Sequence, residues 1–399
     1  TKKNYDKKMN KKMNKKILIL FVRRSYLEIE YILPVLKILK EKYFIYTYFE
    51  KKKAYESLLS QGDVYNEWKK INKNYYILNK FNNLFLKILI KILIILQFNK
   101  NSLFKKILSE VHSFKKICNQ LKVNKFKIKY ILSDLNTHSE TLYQILLNKK
   151  KQFKIVFFPT SPQNVKPRSK KVNVNARPFL KLIDLLLINS KYDLNYWLNF
   201  ISKEKIKIIG PSLFYHLDKN KTLKNRNPKI LISYNCVEKK YQKKEIKNIK
   251  DILGKLIKLE IDLIIKLHPI KQYKYIFDIV NELNSKYISF SSKNLKYLMK
   301  ENIKVHICAI KTAVGTYSNY FNIPTYGFVT YHLGHNPKSF QIKQNLIKPI
   351  DNFDVLKKEI HLILKGDKTL QKKQQNSFKK IYKMPLNIDK FILNLFDNI

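Results

Sequence analysis

Short apolar runs alternate along this chain with longer stretches whose apolar residues recur at helical spacing. In the first half the runs are "KILILFV" (16–22), "YFIYTYF" (43–49), "KIKYILSDL" (127–135), "FKIVFFP" (153–159), "LIDLLLINS" (182–190) and "KIKIIGPS" (205–212). Between them lie a helix over "EIEYILPVLKILKEK" (28–42), a helical region to about Leu121, a helix through Leu147, and a helix over "KYDLNYWLNFIS". A loop with three prolines, "PTSPQNVKPRSKK", follows the fourth run. The polar, aperiodic stretch "YHLDKNKTLKNRNPK" then interrupts the rhythm.

The rhythm restarts with strands over "KILISYN" (229–235), "IDLIIKLHP" (261–269), "YISFSS" (287–292), "IKVHICAI" (303–310) and "TYGFVT" (325–330). Helices are predicted over "KKEIKNIKDILGKLIKLE", "YKYIFDIVNELNS", "NLKYLMKEN", "KTAVGTYSNYFNIP", "FDVLKKEIHLILKG" and "DKFILNLFDN". Strands alternating with helices predict right-handed βαβ units and parallel sheets. The expected fold is α/β, with two Rossmann-like domains facing across a cleft. Its expected division is a basic tail (1–15), an N-terminal domain (16–212), a linker (213–228) and a C-terminal domain (229–399).

A chain of 399 residues with 45% hydrophobic and 13% aromatic residues can bury two cores of ordinary size. Its 80 Lys and Arg against 29 Asp and Glu leave a net charge of +51, nearly all of it lysine. Abundant Ile, Asn, Tyr and Phe with little Gly, Ala and Arg match an AT-rich coding sequence, so part of that charge reflects residue usage. The rest is compatible with a solvated surface or with attraction to nucleotides, an anionic membrane or nucleic acid. Three cysteines (118, 236 and 308) without paired spacing predict no disulfide framework or zinc knuckle and fit a reducing, cytoplasmic setting. The segment "FNNLFLKILIKILIILQF" (81–98) approaches the length of a membrane span, but Lys87 and Lys91 would each cost about 2.5–3.5 kcal/mol at a bilayer centre. It reads as an amphipathic helix, either in the core or lying in a membrane interface.

No G-x-G-x-x-G follows the first strand and no Walker-type loop occurs, which argues against a dinucleotide oxidoreductase or a P-loop kinase. The chemistry-bearing residues fall instead at predicted strand ends, the ligand-binding edge of parallel sheets. Lys266, His268 and Pro269 end one strand of the second half. Thr312, Gly315, Thr316 and Ser318 lie in a small-residue turn that opens a helix, where backbone N–H groups favour an anion. In the first half, Arg23, Arg24 and Glu28 follow the first strand, Asp134 lies at the end of "KIKYILSDL" with His138 just after it, and Thr160 and Ser161 follow "FFP".

"KLHP" (266–269), "TAVGTYSN" (312–319) and "NIPTYGF" (322–328) make the second half resemble the nucleotide-sugar-binding domain of GT-B glycosyltransferases. The likeness is to bacterial capsule and sialyltransferase-type enzymes and to CDP-glycerol glycerophosphotransferases, and it covers about residues 182–330. The acidic H-x-E-x-G-x-R run of the hydrolysing UDP-GlcNAc 2-epimerases, which share that fold, is absent from the sequence. The resemblance implies transfer of a sugar from a nucleotide-sugar donor to a surface-polysaccharide or lipopolysaccharide acceptor, glycan or lipid-linked, at the inner face of a membrane. It implies that Lys266, His268, Pro269, Thr312, Gly315, Thr316 and Ser318 hold the donor phosphates. His138 or Asp134 would accept the acceptor's proton, with Arg23, Arg24, Glu28, Thr160 and Ser161 lining the cleft. No cofactor beyond the donor is implied, and no metal, since no Asp-x-Asp or ligand-spaced His/Cys cluster occurs. The rivals are a CDP-glycerol-type polyol-phosphate transferase, a non-catalytic GT-B protein and a basic nucleic-acid-binding protein. The last lacks any RRM, KH or zinc pattern, so no specific nucleic acid is expected.

Overall fold

A computed structural model describes residues 15–78, 114–134, 153–159, 180, 183–217, 227–234, 242–267, 274–310, 314–328 and 339–399. The chain divides into two compact units. The first comprises residues 1–216 and 383–399, the second residues 217–382.

In the first unit the apolar runs become β1 (Lys16–Val22), β2 (Tyr43–Phe49), β3 (Asn72–Ile77), β4 (Ile128–Asp134), β5 (Lys154–Phe158), β6 (Leu185–Ile188) and β7 (Ile206–Ile208). They pair in the order β3-β2-β1-β4-β5-β6-β7, every adjacent pair parallel. The central strands read as continuous hydrophobic runs because a parallel sheet is covered on both faces. Described helices are α1 (Tyr26–Leu39), α2 (Lys52–Leu59), α3 (Gly62–Ile71), α4 (Phe114–Leu121) and α5 (Lys191–Trp197). The region expected to be helical up to about Leu121 therefore contains a strand. β3, "NKNYYI", is polar and half-exposed, as an edge strand can be, and its composition hides it from a search for apolar runs.

The second unit repeats the plan. Its strands are β8 (Lys229–Tyr234), β9 (Asp262–Leu267), β10 (Ile288–Phe290), β11 (Ile303–Ala309), β12 (Thr325–Phe328) and the two-residue β13 (Lys348–Pro349). They pair as β10-β9-β8-β11-β12-β13, again all parallel. The helices are α6 (Gln242–Ile257), α7 (Lys274–Leu283), α8 (Leu295–Leu298), α9 (Val314–Tyr320), α10 (Phe340–Lys343), α11 (Phe353–Leu364) and α12 (Thr369–Ile381).

The last helix, α13 (Ile388–Asp397), returns to the first unit. This differs from the division expected from the sequence, in which residues 229–399 form one domain. Its fully buried Ile392 and Phe396 are four residues apart and form one apolar face. The Phe396 ring meets Tyr130 of β4 edge-on at 5.0 Å, and the Tyr130 hydroxyl donates to the Phe396 carbonyl. Lys42 pairs with Asp397 across the same contact. No described helix is long and apolar enough to cross a membrane; residues 81–98 lie outside the described set.

Candidate functional site

Both sheets start with two strands laid to one side of the first and continue with a fourth strand on its other side. The chain leaves β1 toward β2 and leaves β4 toward β5, although β1 and β4 are neighbours. The carboxyl ends of β1 and β4, and of β8 and β11, are the switch points where open parallel sheets leave a crevice.

At the first switch point the residues are charged. Ser25 and Glu28 have the spacing of a capping box, but Ser25 makes no side-chain cap bond. Glu28 reaches past it and accepts the backbone N–H of Arg23 at 2.9 Å and of Arg24 at 2.7 Å. The Arg24 side chain folds back, with Nε 3.4 Å from Glu28 and its terminal nitrogen donating to Asp134 at the end of β4. Arg23 Nε lies 3.9 Å from Glu50, just beyond β2. The carboxylates are buried, with side-chain exposures of 1% for Glu28, 0% for Asp134 and 8% for Glu50, whereas the guanidinium side chains keep 29% (Arg23) and 45% (Arg24). Burial pushes the Glu28 carboxyl up to about 7, the charge of Asp134 adds to it, and the Arg23 and Arg24 contacts oppose it. A carboxyl titrating there can hold or release a proton near neutrality.

Behind the second switch point the contacts are hydrogen bonds, with His306 in mid-strand opposite Leu231 of β8. The buried His306 of β11 bonds Ser233 of β8 through Nε2 at 2.8 Å and Ser318 of α9 through Nδ1. Burial lowers its pKa to about 3, so the ring stays uncharged. Tyr234, the last residue of β8, donates to the buried Glu245 of α6 at 3.4 Å and meets the Tyr275 hydroxyl at 3.0 Å.

Arg23, Arg24, Glu28 and Asp134, drawn from separate stretches of sequence, are brought together. Lys266 stands at the carboxyl edge of β9, its ammonium 3.1 Å from the Ser292 carbonyl. Ser318 is fully buried and its hydroxyl is held by His306, with the Met299 sulfur 3.7 Å away. Thr316 is buried as well. A Cβ on Gly315 would stand 2.7 Å from Ile347 Cδ1, so this glycine admits a neighbouring side chain. His138, Thr160, Ser161, His268, Pro269 and Thr312 lie outside the described residues. Glu50, Ser233, Glu245 and His306 are not among the residues expected from the sequence. Glu50 had a signal, an acid directly after an apolar strand; His306 sits inside an apolar run and reads as core. Among the described residues no group of His, Cys, Asp and Glu is placed to hold a metal ion.

No family model matches the chain, and no curated protein matches it. Solved structures do. A glycotransferase of kitacinnamycin is similar at 8% identity and TM-score 0.55, over 96% of this chain and 98% of that one. UDP-N-acetylglucosamine 2-epimerase from Rickettsia bellii is similar at 11% identity and TM-score 0.54, over 96% of each chain. The spinosyn rhamnosyltransferase SpnG, complexed with thymidine diphosphate, is similar at 9% identity and TM-score 0.50, over 95% of this chain and 99% of that one. At these identities the likeness is one of fold, the two parallel-sheet α/β units found in GT-B glycosyltransferases.

Proposed function

We propose that the protein is a glycosyltransferase that moves a sugar from a nucleotide-sugar donor to a surface-polysaccharide or lipopolysaccharide acceptor. The observation that carries this reading is the charged switch point of the first unit, in a chain that shares its fold over nearly its whole length with a rhamnosyltransferase bound to a nucleoside diphosphate. Epimerases share the fold too, and the acidic H-x-E-x-G-x-R run is missing here.

In this reading the donor takes the carboxyl edge of the second sheet. Lys266 is the described cation there, and His268, Pro269, Thr312 and the turn into α9 complete the phosphate contacts. Fixed cations and backbone N–H groups stabilise the negative charge that develops on the leaving nucleotide, so no metal is required. The acceptor takes the first unit, where Asp134 or His138 receives the proton of the attacking hydroxyl. The +51 charge favours a peripheral seat on an anionic membrane.

Thermal unfolding with UDP, TDP, GDP, CDP and CMP tests the donor half of the reading. One nucleotide at 100 times its Kd should add about 2.7 kcal/mol of stability. Nucleotide release from the matching sugar donor should then persist in excess EDTA. Failure of all five nucleotides to stabilise the protein would sink the assignment.

A further inference from the structure

We propose that the amino-terminal edge of the first sheet is a docking surface for an anionic lipid bilayer, with the Phe126 ring entering the lipid among lysines. This gives the membrane seat of the reading above a definite place on the molecule. The surface itself rests on topology, charge and exposure.

A parallel sheet starts all its strands at one edge. In the first unit those starts carry lysine. Lys16 opens β1, Lys42 immediately precedes β2, Lys125 and Lys129 flank the start of β4, and Lys154 opens β5. Four of these are close enough to feel one another. Burial, and then the charge of Lys16, pulls Lys129 below the ordinary lysine value; Lys42 and Lys154 add to the shift, and Asp397 opposes it. Asp397 is itself paired with Lys42. The other acids at this edge are Glu41, Asp184 and Glu204, and Lys203, Lys205 and Lys207 match them in number. The stretches of the first unit outside the described residues contain three acids, Asp6, Glu110 and Glu140, and far more lysines. The sequence therefore holds no reserve of acid to offset the edge.

A lysine at a strand start is ordinary in itself, since its stem packs while its ammonium stays in water. The second unit shows what that ordinary solution looks like under the same residue usage. There β9 opens on Asp262, and Lys229, which opens β8, pairs at 3.4 Å with Glu301, just before β11. Glu301 takes Lys293 as well, at 2.7 Å. Lysine meets acid along that edge and lysine meets lysine along the first. A bias in residue usage acts on both units alike and does not explain the difference.

Phe126 points to lipid as the polyanion. It is 74% exposed, it stands in the turn that leads into β4, and the Lys125 ammonium lies 4.8 Å from its ring centre. A single exposed aromatic is unremarkable on most surfaces. Set among lysines at a basic edge, it has the make-up of an interfacial anchor, whose ring enters the headgroup boundary while ammonium groups meet lipid phosphates. A nucleic-acid duplex offers phosphates to the lysines and no apolar layer to the ring. The surface is also separate from the charged switch point. β1 runs seven residues, about 20 Å, from Lys16 at one edge to Val22 at the other, so docking leaves that crevice uncovered.

Flotation of the full chain with vesicles tests the surface. Binding is compared for phosphatidylcholine alone and for equal parts of phosphatidylcholine and phosphatidylglycerol, at low and at high salt. The protein should bind the anionic vesicles at least about tenfold more tightly than the neutral ones, and high salt should release it. Lys16→Glu, Lys122→Glu and Lys125→Glu together should weaken that binding at least about tenfold. Lys243→Glu, Lys357→Glu and Lys372→Glu, at exposed lysines of the second unit, change the net charge equally and should cost far less. Phe126→Ala keeps the charge and should weaken binding about tenfold. Every residue replaced is exposed, so the variants should melt as the wild type does.

Equal loss from the two triple variants would mean diffuse attraction by net charge and overturn the proposal. Binding unchanged by Phe126→Ala, or no binding to anionic vesicles at low salt, would overturn it too. A protein that ignores vesicles but holds duplex DNA through the same lysines would assign the edge to nucleic acid instead. Nucleotide stabilisation of the same samples tests the transferase reading separately. Its absence with intact vesicle docking removes that reading and keeps the surface, and the reverse pattern removes the surface alone.

Discussion

The two units solve the same topological problem with opposite chemistry. Each places its first and fourth strands side by side at a switch point. The first unit fills that position with ions: Glu28, Arg24 and Asp134, with Arg23 and Glu50 alongside. Behind that position the second packs the hydrogen-bonded trio Ser233, His306 and Ser318, with His306 uncharged and in mid-strand. Topology therefore dictates where a crevice lies but not what it holds. A site that carries charge must present buried partners to it, because an isolated buried ion is costly. A neutral site needs only matched donors and acceptors.

The largest expected effect separates the units by pH. His306 has its folded pKa lowered by burial from 6.5 to about 3, so between these values the unfolded chain binds the extra proton. Stability of the second unit should then be lost as pH falls below about 6.5, at about 1.4 kcal/mol per unit. Hydrogen exchange resolved to β8 and β11 checks this, and an unchanged protection between pH 7 and pH 4.5 would contradict a neutral buried ring. Glu28 runs the other way. Its folded pKa is raised from 4.5 to about 7, mainly by burial, so the folded state holds the extra proton in that window. The first unit should lose up to about 3 kcal/mol as pH rises from about 4.5 to about 7. Asp193, raised by burial to about 6, adds in the same direction. Both tryptophans, Trp68 and Trp197, belong to the first unit, so tryptophan fluorescence follows its unfolding alone. Glu28→Gln should flatten the slope.

Arg24→Met should come next. Removing one partner of a buried ion pair costs about 3–5 kcal/mol. Arg24 is 45% exposed, and solvent screening should bring the loss nearer about 2 kcal/mol. Urea unfolding read by tryptophan fluorescence measures it, and Arg24→Lys should recover part. If methionine proved neutral, Asp134 would not depend on Arg24 for its charge. The smallest effect is expected at Gly315→Ala. The new Cβ would press on Ile347 Cδ1 at 2.7 Å, the far end of a flexible side chain, so the loss should be about 1 kcal/mol, confined to the second unit. Normal stability with impaired nucleotide binding would instead return Gly315 to the ligand side.

What the sequence alone determined is the local pattern and, through it, the fold class. Continuous apolar runs such as "KILILFV" must be buried on both faces, and their alternation with amphipathic helices leaves parallel βαβ units as the solution. The strand-end rule also drew Arg23, Arg24, Glu28 and Asp134 out as candidates, because the end of an apolar run is visible in the sequence. Tertiary structure decided which of these meet. Arg24 and Asp134 are 110 residues apart, and nothing local tells a guanidinium which carboxylate it will face. It likewise decided that "NKNYYI" pairs as an edge strand beside β2, and that the apolar face of α13 docks on Tyr130. Ser318 carries the hydroxyl expected of a phosphate donor, yet that hydroxyl belongs to His306, from a strand whose own sequence reads as core. The physical reason is common to all of these. Periodicity records which face of an element avoids water, whereas the identity of a partner across the fold is set only when distant elements pack.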